Sequence, residues 1–331
     1  VETLDVPVVT SYKGKGLVPE DDPRSVGVTA SFLSSGARAV LDAADLVLAL
    51  GTDFDGVTTG GWSLPMGDAL VHVTLDGGAV GAAYEPDVAV VDDAATAARE
   101  LRRRVDGPVG WDGSALGPRV RREYRDHLAG RGLLDPEASP APTPAVLGAV
   151  REATPREATV VTDIGGHRLW ALQTFRADGP HRYVTAGSWA GMGVGLPGAL
   201  GAKLARPDAP VVCLHGDGGL EMCLQSLHTG AAEGLGVVCV VFADADYGII
   251  SKDPAIYDGE TREFAWDAPD LAGVAENLGC VGERVDTAAA AGEAVADAVA
   301  ADRDVPTLVE VRIDGDEPTV KDVAEYETAL P

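Results

Sequence analysis

Two aspartates with glycine neighbours are the residues most suited to chemistry. Asp217 sits in His-Gly-Asp-Gly-Gly (215–219), directly behind the apolar run APVVCLHGD (209–217) and ahead of a stretch with helical period. Gly216, Gly218 and Gly219 let backbone approach an anion closely, and the start of a helix offers free N–H groups to phosphate oxygens. Asp217 is then placed where a phosphate-bound metal would lie. A strand–Gly-Asp-Gly–helix turn alone is common in α/β proteins. What sharpens it is Asp244, 27 residues further on, which ends the next apolar run, GVVCVVFAD (236–244). One helix and one strand return the chain to the same carboxyl edge of a parallel sheet, where such sheets bind ligands. Mg²⁺ takes octahedral oxygen ligation, commonly one or two carboxylates with phosphate oxygens and water. Asp217, Asp244, the backbone carbonyl of Asp246 and a diphosphate would satisfy it.

The elements that position these residues fall in two blocks. In the first, VPVVTS (6–11), ADLVLALG (44–51), ALVHVTLD (69–76) and DVAVVDD (87–93) are β-type runs, with helix-like stretches around 31–44 and 94–105. The alternation predicts a parallel sheet covered on both faces. Residues 107–142 change character: a helix bearing Arg119, Arg121, Arg122 and Arg125, read as a solvated face or an interdomain ion-pair strip, then the proline-marked connector DPEASPAPTP. In the second block TVVTD (159–163), 209–217, 236–244 and VPTLVEVRI (305–313) read as strands. Helices are predicted near 191–205, 219–234, 269–279 and 287–301. In the second of these Leu220, Cys223, Leu224, Leu227 and Ala231 share one face. The expected fold is α/β, with two three-layer parallel-sheet domains: 1–106, a linker with a helix over 107–142, and 143–331.

Composition narrows the class. The 331 residues carry a formal charge of −26, 52 acidic against 26 basic. Such a polyanion repels nucleic acid and anionic membranes, and neither is expected as a partner. No apolar run is long enough to span a bilayer and no secretory leader is visible, so a cytoplasmic location is expected. Lysine is confined to Lys13, Lys15, Lys203, Lys252 and Lys321. An Asp-rich, Lys-poor surface that stays folded is what molar salt permits by screening, and a halophilic source is expected. Cys213, Cys223, Cys239 and Cys280 show no CxxC spacing and read as reduced core thiols.

TDIGGHRLWALQ (162–173), TAGSWAGMGVGLPGALGAKLARPDAPVVCLHGDGG (185–219) and VVFADADYGII (240–250) resemble, in order and spacing, the C-terminal cofactor domain of the thiamine-diphosphate-dependent 2-oxoacid enzymes. The nearest resemblance is to the large subunit of acetolactate (acetohydroxyacid) synthase. PVVTSYKGKGLVPEDDPRSVGV (7–28), DLVLALGTDFD (45–55) and VHVTLDGGAVGAAYEPDVAVVDDA (71–94) resemble the same family's middle domain.

The resemblance implies thiamine diphosphate and Mg²⁺ as cofactors. Asp217 and Asp244 would be metal ligands and Asp246 would offer its carbonyl. Gly165, Gly166 and His167 would contact the diphosphate, alongside Gly216, Gly218 and Gly219. Gly191 and Met192 belong to a Gly-Met-Gly segment in which Met192 would wedge beneath the thiazolium and bend the cofactor, so that proton removal from C2 becomes intramolecular. A 2-oxoacid is the implied substrate, decarboxylated and then protonated or captured by a second carbonyl compound, with the cofactor as electron sink. The family's active sites form between subunits, so a homodimer or higher oligomer is implied.

Departures from the family pattern bear on specificity. Ala243-Asp244 replaces a pair of asparagines. Asp53 and Val57 fall where acetolactate synthases carry flavin-contacting arginines, so FAD is not supported. Near Asp253, where those synthases select 2-oxobutyrate with a tryptophan, none occurs. The family's pyrimidine domain and its catalytic glutamate have no counterpart in this sequence; truncation or a separate polypeptide would account for that.

Two alternatives stand beside the carboligase reading: a benzoylformate-decarboxylase-like decarboxylase, and a non-catalytic cofactor-binding module. A nicotinamide-binding protein is disfavoured because no GxGxxG follows the first strand. His167 divides between a structural role and diphosphate contact. His215 is left between substrate contact and a strand-end cap. Glu221 and Gln225 read as surface residues, and Trp170 and Trp189 as core or interface aromatics.

Overall fold

The computed structural model describes residues 1–187, 189–252 and 264–330. The chain forms two compact units, one of Val1–His127 with Ala324–Pro331 and one of Leu128–Val323.

The first unit contains β1 (Val8–Ser11), β2 (Ser25–Thr29), α1 (Ser35–Asp42), β3 (Val47–Leu50), β4 (Leu70–Thr74), β5 (Val88–Val91), α2 (Ala94–Arg104) and most of α3 (Gly113–Gly130). Ser34 and Asp93 cap α1 and α2 by accepting the N–H groups of Ala37 and Thr96. Where the sequence predicts a single sheet, two parallel sheets are found among the described residues: the pair β1-β2 and the triplet β3-β4-β5. The unforeseen strand β2 is short, broken in alternation by Gly27 at φ 143°, and its pairing with β1 carries a register shift. Arg121 of α3 donates to the carbonyl of Ser25 at 2.6 Å, so this arginine anchors a strand end.

The second unit holds α4 (Thr143–Ala153), β6 (Thr159–Thr162), α5 (Gly166–Thr174), β7 (Tyr183–Thr185), α6 (Gly195–Ala205), β8 (Val211–Gly216), α7 (Asp217–Glu221), α8 (Gln225–Ala232), β9 (Val238–Ala243), α9 (Gly248–Ser251), α10 (Leu271–Asn277), β10 (Val281–Val285), α11 (Ala288–Ala301) and β11 (Thr307–Arg312). Six parallel strands lie in the order β10-β11-β9-β8-β6-β7. The four inner strands β11, β9, β8 and β6 are largely apolar runs because both faces are covered. α6, α8 and α10 pack on one face; α5 and α11 pack on the other, with α4 laid against them. Val161, Cys213, Leu220, Leu227, Cys239 and Leu308 lie in the core beneath α6. All four cysteines are free and buried.

One expectation of this unit needs correction. The helix predicted over 219–234 is two, α7 and α8, interrupted at Met222–Leu224, although Leu220, Cys223 and Leu227 are still buried together. The proline-marked segment serves as a connector, as expected, and it is also tied down at its end. Ala141 forms a parallel bridge with Ile313 at the end of β11, donating to Arg312 and accepting from Asp314. The structure also adds α4, α5, β7 and β10, which no periodicity announced.

Candidate functional site

The order of the central strands reverses between β6 and β8, the place where an open α/β sheet leaves a crevice beyond its carboxyl ends. The turns after β6, β8 and β9 all open there, lining one cavity of about 300 Å³. Gly165, Gly166 and His167 reach it from the first turn, Gly216, Asp217, Gly218 and Gly219 from the second, and Asp244 and Asp246 from the third; Met192 also lines it. Gly191 does not reach the cavity, and Trp189 is its nearest side-chain neighbour.

Strand alternation decides which side each polar group takes. Leu214 and Gly216 of β8, with Val240 and Phe242 of β9, face α5. There the His167 ring stacks on Phe242 at 5.5 Å between centroids, 12° from parallel. His167 is 5% exposed and its Nε2 has no hydrogen-bond partner. Burial, then the neighbouring His215, lower its pKa to about 3, so the ring is neutral with a polar atom left over.

Asp217 is 4% exposed. Its carboxylate accepts the N–H of Gly218 and that of Ala245, each at 2.7 Å, which ties the second turn to the third. Burial and then the charge of Asp244 raise its pKa to about 7. Burial raises that of Asp244 too, against the pull of Lys252. Two desolvated carboxylates facing one cavity favour any cation that enters between them. Among the described residues no third His, Cys, Asp or Glu joins them. A divalent ion held here would therefore take its remaining oxygens from backbone, water or a ligand. Asp246 turns one side-chain oxygen toward the Ser251 hydroxyl, while its Oδ1 is buried without a partner.

The glycines of the second turn do different work. A Cβ on Gly216 would meet His167 at 3.4 Å, an ordinary contact. On Gly218 it would strike Tyr247 at 2.6 Å, and on Gly219 it would lie 2.3 Å from the Asp163 carboxylate. Gly219 is thus required by a buried side chain behind the turn.

That side chain was not foreseen, nor was its pairing with His215. Asp163 and His215 lie on the α6 side of the sheet, both 0% exposed. His215 Nδ1 sits 3.1 Å from the Gly216 carbonyl and 3.5 Å from Asp163, and its Nε2 is 3.6 Å from Cys223 Sγ. Of the two expected roles for His215 the strand-end cap is the one the geometry favours: its ring bonds the last carbonyl of β8, lies behind the cavity, and burial keeps it neutral despite Asp163. The signal available was two polar residues ending otherwise apolar strands.

On the far wall Glu317, 8% exposed, accepts the N–H of Thr143 at 2.8 Å and so supplies the cap that Pro142 cannot give α4. Burial raises its pKa to about 7. Trp170 is buried as expected; Trp189 is 97% exposed, so the core reading fails for it. Glu221 is exposed and accepts from Trp266 at 3.1 Å. The position near Asp253 lies outside the described residues.

Comparison with known proteins identifies the family. Residues 163–311 match the thiamine pyrophosphate enzyme C-terminal TPP binding domain, and residues 1–101 match the central domain of the same enzymes. An acetolactate synthase large subunit of Parasynechococcus marenigrum is 32% identical over 290 residues, covering 86% of this chain and 46% of that protein. The acetolactate synthase of Mycobacterium leprae is 29% identical over 298 residues, covering 86% and 47%. The isozyme 1 large subunit of Escherichia coli is 27% identical over 325 residues, covering 96% and 55%. The chain thus spans about half the length of the curated relatives it matches. No helix among the described residues is long and apolar enough to cross a membrane. The turns that meet at the carboxyl edge of the second unit lie inside the matched TPP-binding region, and the chain belongs to the thiamine pyrophosphate enzymes, carrying their central and C-terminal domains.

Proposed function

We propose that the second unit holds the diphosphate of thiamine diphosphate through a divalent cation, Mg²⁺ by its oxygen ligands, and that the complete active site acts on a 2-oxoacid as a carboligase or decarboxylase of the acetolactate-synthase type. The observation that carries this reading is the meeting of Asp217 and Asp244, desolvated and mutually repelling, in one cavity beside glycine turns. The cavity fits such a group: the pKa values of Asp217 and Asp244 are raised by burial despite the pull of Lys252 on Asp244, and His167 Nε2 is buried without a partner.

In this arrangement Asp217 and Asp244 hold the cation, with the Asp246 carbonyl beside them. Gly165, Gly166 and His167 would meet the diphosphate, and Met192, which lines the same cavity, would support the organic part of the cofactor. Phe242, Ile249 and Ile250 line the same cavity and keep water from the charged pair. When bound, thiamine diphosphate supplies an electron sink for cleavage next to a carbonyl. The second carboxylate in place of asparagine strengthens the hold on the cation and adds charge facing the diphosphate.

A partner surface supplying the cofactor's pyrimidine half is part of the proposal, as a second copy or a separate polypeptide, and so is adaptation to high salt. The test is calorimetric titration of thiamine diphosphate with Mg²⁺, followed by pyruvate turnover with and without a pyrimidine-domain polypeptide. Tight, Mg²⁺-dependent binding and turnover with the added polypeptide are expected. Binding indifferent to Mg²⁺ would remove the reading, and binding without turnover under any pairing would leave a cofactor-holding module.

A further inference from the structure

Behind the cavity, the glycine turns and the paired carboxylates lies a fully buried carboxylate without a task, Asp163. Among the described residues no lysine or arginine forms an ion pair with it; the neutral ring of His215 lies 3.5 Å away. Instead it accepts three consecutive backbone N–H groups: Gly193 at 3.1 Å, and Val194 and Gly195 each at 2.9 Å. A carboxylate that takes three amides in a row fixes the path of the chain through them. These amides open α6, whose own N-cap residue, Val194, has no side-chain cap. The cap therefore comes from the end of another strand, and it clamps the residues immediately after Met192.

The packing around the clamp is close on both sides. A Cβ on Gly195 would lie 2.7 Å from that of Asp163, and a Cβ on Gly219 would lie 2.3 Å from its carboxylate. His215 closes the remaining side. The carboxylate has nowhere to move, so Gly193 has nowhere to move either. Met192, 36% exposed, is held at the cavity from a segment otherwise made of small residues.

We infer that Asp163 is a positioning residue that sets the height of Met192 in the cavity, with His215 as the strut behind it. The inference rests on the cofactor reading above and deepens it: the turns at Asp217 and Asp244 would grip the diphosphate, while Asp163 governs the fit of the organic ring.

The 331-residue chain tests it by two affinities, for Mg²⁺–pyrophosphate and for Mg²⁺–thiamine diphosphate. Asp163→Asn is expected to lower the ratio of cofactor to pyrophosphate affinity on the order of tenfold. Hydrogen exchange at residues 193–195 should rise. In a Met192→Ala background the same change should lower the ratio no further. His215→Gln leaves the carboxylate in place and is expected to give a smaller fall of the same sign, which keeps the test open if Asp163→Asn does not fold. Equal loss for both ligands, no fall in either variant, or an undiminished effect without Met192 would overturn the positioning role. A wild-type chain that binds neither ligand would instead sink the cofactor reading itself.

Discussion

Each unit ends an apolar strand in a glycine turn rich in aspartate, and the two turns have opposite electrostatics. After β3 the chain reads Gly51-Thr52-Asp53-Phe54-Asp55; after β8 it reads Gly216-Asp217-Gly218. In the first, Lys13 lies 2.8 Å from Asp55 and 3.3 Å from Asp53. Burial would raise the pKa of Asp55, but hydrogen bonds from Lys13 and Thr58 win and lower it. In the second, burial and Asp244 raise Asp217 to about 7. One sequence pattern thus gives a satisfied turn in one place and an unmet demand for positive charge in the other. A strand-end aspartate points to a site when it is buried without a cation of its own.

The sharpest way to break that contrast is to remove the carboxylates. Asp217→Ala or Asp244→Ala should weaken Mg²⁺–thiamine diphosphate binding by about 100-fold or more in calorimetry, while Asp55→Ala leaves it unchanged. Equal losses at all three would erase the distinction.

The crowding of the second turn comes next. Gly219→Ala should cost roughly 3 kcal/mol in denaturant unfolding, because its Cβ meets Asp163. Gly201→Ala, exposed in α6 with nothing within 4 Å, should stabilise by about 0.5–1 kcal/mol.

Titration separates the units by sign. Glu317, raised to about 7 from an ordinary 4.5, contributes stability that is complete below pH 4.5 and lost as pH rises through 7. Glu317→Gln should remove a pH dependence on the order of 3 kcal/mol between pH 5 and pH 8. Asp55 runs the other way: its contribution is present above the ordinary carboxylate pKa and fades on acidification, so Asp55→Asn should flatten the acid limb. The smallest effect is salt. With a net charge of −26, the thermal midpoint should rise by a few degrees from low to molar KCl, as repulsion is screened. A midpoint that stays level would count against halophilic adaptation.

The second unit was the more legible one, for a physical reason. TVVT, VVCLHG, VCVVFA and TLVEVR are buried on both faces, and such strands are nearly continuous apolar runs. β10, VGERV, is a half-exposed edge strand with a glycine and a charge pair, and it carries no such signal. β2, SVGVT, is buried but only five residues long and interrupted by Gly27, so it shows neither a long apolar run nor a clear alternation. The apolar stripe from Leu220 to Ala231 runs unbroken through the gap between α7 and α8, so periodicity could not show the break. At the site, Asp217 and Asp244 were readable because parallel crossovers make their spacing a geometric statement. Asp163 and His215 lie 52 residues apart on a face that also carries the apolar core, and only folding brings them together. Gly219 lines the cavity as the turn suggested, and the carboxylate packed behind it is a second demand on that glycine which the sequence did not announce.

Trp189 stands 97% in water, three residues before Met192. Its indole should emit at long wavelength and respond to any change in the nearby loop, an optical gauge that needs no label. A chain of this charge will hold iodide at a distance, so a neutral collisional quencher such as acrylamide is the reagent that can read it.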